Sequence, residues 1–145
     1  MKNDIEQVRR AVCEAGLRLS AEGLVARTCG NISIRIDERT MAVTPSGIRY
    51  EDIRPEHIAI VDIITGKWEC PVNPSGERKL HAAVYRDRPD VGAVIHTHSR
   101  FATIWAQAKR EIPCVGTTHA DYFPCAVPVT RDLMAREIEA DYEFN

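Results

Sequence analysis

The chain has 145 residues, 44% of them hydrophobic and 28% charged, which suffices for one globular domain with a real core and is too short for two. Its formal net charge is -2, and Lys and Arg are scattered among Asp and Glu, so no basic stripe is offered to a nucleic-acid backbone. No window approaches the roughly 18 apolar residues of a spanning helix, and the polar start MKNDIEQVRR lacks an apolar signal core, which makes the cytoplasm the expected location. Residues 1–145 are therefore read as a single domain. The five cysteines form no C-x-x-C pair and are odd in number, which argues against a disulfide framework or a cysteine zinc site. They are expected to be reduced thiols, mostly small core residues.

Ile5, Val8, Val12, Ala15 and Leu19 step by three and four, and Asn3 with Glu6 resembles a capping box, which predicts an amphipathic helix over 4–22 ending near Gly23. Ile32, Ile34 and Ile36 alternate with polar residues, Met41–Thr44 is their expected hairpin partner, and Pro45-Ser46-Gly47 is turn chemistry. A second hairpin is expected from the apolar run Ile58–Ile64, interrupted by Asp62, and the segment Trp68–Cys70 beyond the turn Thr65-Gly66-Lys67. Glu77–Arg86 suits a helix with Leu80, Ala83 and Val84 on one side, stopped by Pro89. Gly92–His98 reads as a strand, and Ser99 is placed to cap a helix whose Phe101, Ile104, Trp105 and Ala108 share a face. Residues 114–129 mix β-branched residues with prolines, and Thr130 is placed to cap a last helix through Ala140. The sum is an α/β (α+β) layered domain with a mostly antiparallel sheet.

Two histidines separated by one residue on a strand project to the same face, so His96 and His98 are presented to one point. Zinc in catalytic sites takes neutral imidazoles and carboxylates and keeps one position open, which makes this H-x-H a half-site; alone, it competes evenly with two hydrogen-bonded polar residues at a strand end. Three turn-forming spots, Gly30-Asn31, Ser46-Gly47 and Ser75-Gly76, could each offer backbone amides to an anion, and the last opens a helix, where free N–H groups favour negative charge. Glu77, just inside that helix, is a candidate metal ligand or general base, against the alternative of a carboxylate that merely complements the helix dipole.

In order, Gly30-Asn31-Ile32-Ser33, Thr44-Pro45-Ser46-Gly47, Pro74-Ser75-Gly76-Glu77 and His96-Thr97-His98 resemble the class II aldolase/adducin family, and HTHSRFATIWAQA, IPCVGTTHADYF and DYEFN look more like its L-ribulose-5-phosphate 4-epimerase branch. The resemblance covers essentially the whole chain. It implies a three-layer fold with a central, mostly antiparallel sheet flanked by helices, lacking the family's C-terminal portion and with it a third zinc histidine. It further implies one Zn2+ per subunit on His96, His98 and Glu77, and a sugar-phosphate pocket lined by Gly30, Asn31, Ser46, Gly47, Ser75 and Gly76. Asp121 would be the acid/base, held by Glu143, in a homotetramer whose sites lie at subunit boundaries. The implied reaction is 4-epimerisation of L-ribulose 5-phosphate to D-xylulose 5-phosphate, by retro-aldol cleavage and re-addition through a metal-bound enediolate. Glu77 stands where the epimerases carry Asp and pulls toward the alternative, a class II aldolase cleaving L-fuculose 1-phosphate or a related ketose phosphate. A non-catalytic, adducin-like interaction module is the third alternative. His119 is expected near Asp121 rather than as a zinc ligand, and His57 and His81 are expected to be structural.

Overall fold

The computed structural model describes residues 4–132 together with 134 and 135. They divide into two compact units, Met1–Thr97 and His98–Asn145. In the first unit a helix, α1 (Ile5–Ala21), is followed by strands β1 (Asn31–Arg35), β2 (Thr40–Val43), β3 (Ala59–Asp62) and β4 (Trp68–Glu69), a second helix α2 (Arg78–Asp87) and strand β5 (Ala93–His96). The sheet order is β4-β3-β2-β1-β5 and every neighbouring pair is antiparallel.

Helix α1 buries Val8, Val12 and Leu19, as the three-and-four spacing predicts, and half-buries Ala15, whereas Ile5 in its first turn is exposed and Gly16, outside the predicted set, is buried. Its cap is Asp4 rather than a box built on Asn3: the Asp4 side chain accepts from the Glu6 N–H at 3.1 Å, and Asn3 lies outside the described residues. Gly16 is required because a Cβ there would stand 2.5 Å from Cδ1 of Tyr50, whose ring packs on the helix. In β2 both faces are covered, so the strand is apolar without alternation: Ala42 joins Val12, Ile32, Tyr50 and Ile58 on one side, while Met41 and Val43 join Val61, Ile63, Ala82 and Tyr85 on the other. Two cores on opposite faces of one sheet make the layered architecture. Asp62 interrupts the apolar run because it holds the β3–β4 turn, accepting from the N–H groups of Ile64 and Thr65 and from Arg39 Nε.

Several expectations are corrected. In α2 the inward face carries Arg78, His81, Ala82 and Tyr85, whereas Leu80 is 51% exposed; the helix docks on a row of polar side chains, and polar groups therefore take the buried face. Strand β5 stops at His96 instead of reaching His98. Its partner β1 begins at Asn31, directly opposite His96, and Gly30 before it has φ +77, a left-handed conformation that cannot continue the ladder. None of the five cysteines is buried, although Cys13 and Cys70 border the two cores and all five are free thiols. His57 closes a short 3₁₀ turn ahead of β3, its Nδ1 accepting from the Arg54 N–H.

The second unit contains α3 (Arg100–Gln107) and α4 (Thr117–Tyr122), with an isolated bridge between Ile112 and Val127. Ser99 is the N-cap of α3 without a side-chain capping bond, and Phe101 and Ile104 of that helix are exposed, while Trp105 carries the Arg110 guanidinium 5.5 Å over its ring. A helix occupies 117–122, where the sequence suggests only irregular chain with β-branched residues, and 130–132 are not helical. The remainder of the last predicted helix falls mainly on 133 and 136–140, outside the described residues. Among the described residues no helix is long and apolar enough to cross a membrane.

Candidate metal centre

Strand register builds the centre. Asn31 and His96 are paired across β1 and β5, so their side chains share the face that packs against α2, while Ile32 and Ile95 share the other. The α2 helix brings Glu77 to the same place as its N-cap residue, one position earlier than expected. Its carboxylate makes no capping bond to the helix. Instead, Asn31 Nδ2 donates to Glu77 Oε2 at 2.5 Å, and His96 Nδ1 lies 3.5 Å from the same oxygen. A carboxylate there only to complement the helix dipole would turn toward the free N–H groups of the first turn; this one turns away from them.

His98 follows β5 by two residues and is exposed. One ligand atom each from Glu77, His96 and His98 lies within 4.8 Å of the others. Two imidazoles and a carboxylate are the ligand types of a three-ligand catalytic zinc site with one position left open, so the residues present fit a divalent transition metal.

The turns expected to bind an anion are fastened to this centre through backbone. Thr44 donates its N–H to the Ile32 carbonyl and accepts the Ile32 N–H on Oγ1, joining the second turn to the first. Pro45 and Pro74 form a bridge in which the Ser46 N–H donates to the Asn73 carbonyl and the Ser75 N–H to the Thr44 carbonyl, both at 2.9 Å. This refines the expectation, since the amides of Ser46 and Ser75 are engaged in holding the turns together. The exposed Gly47 and Gly76 amides donate to no described protein group. Ser75 is buried, and its Oγ accepts from the Glu77 N–H.

Gly30 is the most constrained member. Besides its positive φ, a Cβ there would stand 2.7 Å from the carbonyl oxygen of His96 and 2.9 Å from Val25 Cγ1. Behind it Tyr50 is buried, and desolvation pushes its phenol up to about 12.

Asp121 is exposed on α4, and His119 on the same helix lies 3.1 Å from the Cys125 carbonyl through Nε2 and stacks with Phe123. Glu143 lies outside the described residues. His81, expected to be structural, is buried together with Ser33 and with Tyr85, for which the sequence suggests no role. All three are buried within one hydrogen-bonded group, with Ser33 Oγ 2.7 Å from His81 Nδ1 and 2.8 Å from Tyr85 Oη. The signal for them is the four-residue spacing of Glu77, His81 and Tyr85 against the two-residue spacing of Asn31, Ser33 and Arg35.

The family model described as the class II aldolase and adducin N-terminal domain matches residues 10–143. Among solved structures, an L-fuculose 1-phosphate aldolase is 33% identical with a TM-score of 0.70, covering 74% of this chain and 51% of its own. The L-fuculose-1-phosphate aldolase of Thermus thermophilus is 24% identical with a TM-score of 0.72, covering 95% and 70%. A sugar-phosphate aldolase from Thermotoga maritima is 20% identical with a TM-score of 0.68, covering 95% and 75%; these last two speak for the fold alone. The chain thus spans about half the length of the first of these structures. With the match running through nearly all of its residues, and the motif turns and histidines gathered as described, the chain belongs to the class II aldolase and adducin family.

Proposed function

We propose that the protein is a metal-dependent sugar-phosphate enzyme, and that its first activity is aldol cleavage of L-fuculose 1-phosphate or a related ketose phosphate. The observation that carries this reading is the carboxylate of Glu77, turned away from its own helix toward Asn31 and His96. A zinc ion bound by His96, His98 and Glu77 would supply Lewis acidity at a carbonyl oxygen, making a Schiff-base lysine unnecessary. The Gly47 and Gly76 amides, with the Ser46 and Ser75 hydroxyls, receive the phosphate where the N-terminus of α2 favours negative charge. Gly30 lets the chain pass close to the His96 carbonyl, and Asn31 orients Glu77. Cleavage takes a proton from the hydroxyl of the carbon that becomes the aldehyde and returns one to the carbon of the ketone fragment; in this reading that proton is given to Glu77.

A second reading, 4-epimerisation of L-ribulose 5-phosphate, is favoured by Asp121, an exposed carboxylate within Thr118-His119-Ala120-Asp121. In it Asp121, held by Glu143, exchanges the proton in a homotetramer, acting at a neighbouring subunit's metal. The location proposed for either activity is the cytoplasm.

The test supplies each sugar phosphate to the zinc-loaded protein and follows dihydroxyacetone phosphate or D-xylulose 5-phosphate, with a chelator control. Expected is dihydroxyacetone phosphate that disappears with chelation. Zinc bound at one per chain with neither product overturns both readings and leaves a binding module. Asp121→Asn separates them, since it should abolish epimerisation and only weaken cleavage.

A further inference from the structure

Three polar residues of β1, Asn31, Ser33 and Arg35, alternate onto one face of the sheet, and three residues of α2 and its N-cap, Glu77, His81 and Tyr85, recur every four positions along one stripe of the helix. The two rows meet rung by rung. Asn31 bonds Glu77, Ser33 bonds both His81 and Tyr85, and Arg35 donates to the Tyr85 carbonyl while its guanidinium lies 4.6 Å over the Tyr85 ring. The match has a metric basis: two strand residues advance about 6.7 Å and four helix residues about 6 Å, so consecutive rungs stay aligned. The middle rung differs from its neighbours. Ser33 and His81 are 0% exposed and Tyr85 is 1% exposed, whereas Glu77 at the end of the row is only half-buried.

We infer that Ser33, His81 and Tyr85 are positioning residues for the metal centre, locking α2 against β1 at the one register that holds Glu77 beside Asn31 and His96. Hydrophobic packing alone tolerates small slides of a helix over a sheet, but a slide here would break hydrogen bonds among groups that water cannot reach. The lock sits one helical turn from Glu77, and the His81 N–H donates to the Glu77 carbonyl at 3.3 Å, so the side-chain lock and the ligand belong to one rigid turn. Ser33 is also paired with Val94 on β5, two residues before His96, and the same contact therefore refers both halves of the centre to one point on β1. Groups bonded directly to a metal ligand, as Asn31 is to Glu77, alter metal affinity by about 10–100-fold when removed, and the lock acts on the same ligand through the helix turn. This inference rests on the metal reading proposed above.

The test measures zinc affinity by chelator competition and the ligand-field absorption of the Co2+-substituted protein, with far-ultraviolet circular dichroism and Tm alongside. The variants are His81→Leu, Ser33→Ala and His81→Asn. Asn can place an amide atom near the position of Nδ1, so it keeps a partner for Ser33 whichever way the bond runs. Val12→Ala, in the core on the opposite face of the sheet, serves as a variant of lowered Tm with the lock intact. Expected are folded Ser33→Ala and His81→Leu proteins that bind zinc about tenfold or more weaker with an altered Co2+ spectrum, recovery of most of that loss in His81→Asn, and wild-type affinity in Val12→Ala. The inference is overturned if folded Ser33→Ala binds zinc as the wild type does, if His81→Asn is as weak as His81→Leu, or if Val12→Ala loses affinity in proportion to its Tm. Wild-type protein that binds no zinc overturns the metal reading itself, a result separable from the other three.

Discussion

At Gly30 two independent constraints meet, a left-handed φ and a backbone carbonyl where a side chain would begin. Gly30→Ala should therefore lower stability by about 1–3 kcal/mol, the scale of a strained backbone position, and displace the strand that carries His96. Urea denaturation with zinc titration checks both, and zinc affinity should fall along with Tm. His98 is exposed and follows the end of β5 by two residues. His98→Ala should lose zinc in elemental analysis of the purified chain, while its far-ultraviolet circular dichroism stays that of the folded protein.

At the scale of elements, helix termini carry the most exact information. Asp4 caps α1 through the Glu6 N–H, so Asp4→Ala should cost about 1 kcal/mol, read as a lowered urea midpoint with unchanged slope. Glu77, in the N-cap position of α2, makes no such capping bond, and Glu77→Gln should weaken zinc binding far more than it changes Tm. Packing of α2 shows where apolar counting fails. Leu80 carries a large apolar side chain and yet is half exposed, because the helix face that meets β1 must supply partners for Asn31, Ser33 and Arg35. The buried stripe is legible as Glu77, His81 and Tyr85, but only if helix and strand are read against each other rather than singly.

For the molecule as a whole, His81 contributes to the acid limit. Burial holds its imidazole down at about 4 from 6.5, the charge of neighbouring His96 acting in the same direction and Glu77 opposing. Between those pH values the unfolded chain binds the proton and the folded one does not, so this contribution is complete above pH 6.5 and is lost as pH falls toward 4. With metal removed by a chelator, the stability lost across that window from this residue should be on the order of 3 kcal/mol. Equilibrium unfolding of wild type and His81→Asn checks it, the variant showing the shallower decline.

The sequence by itself determined the local elements and which side chains are candidates for the site. Periodicity marked α1, alternation marked β1, and the four motifs picked out Gly30, Asn31, Ser46, Ser75, Glu77 and the two histidines, because these depend on neighbours a few residues apart. Tertiary structure alone decided which groups face one another. The pairing of Asn31 with His96, the end of β5 at His96, the engagement of the Ser46 and Ser75 amides in a bridge, and the burial of His81 on Ser33 all join residues far apart in the chain. Such contacts follow from strand register and helix phase, and these are set by the balance of packing and buried hydrogen bonds across the whole unit, a quantity that no short stretch of sequence contains.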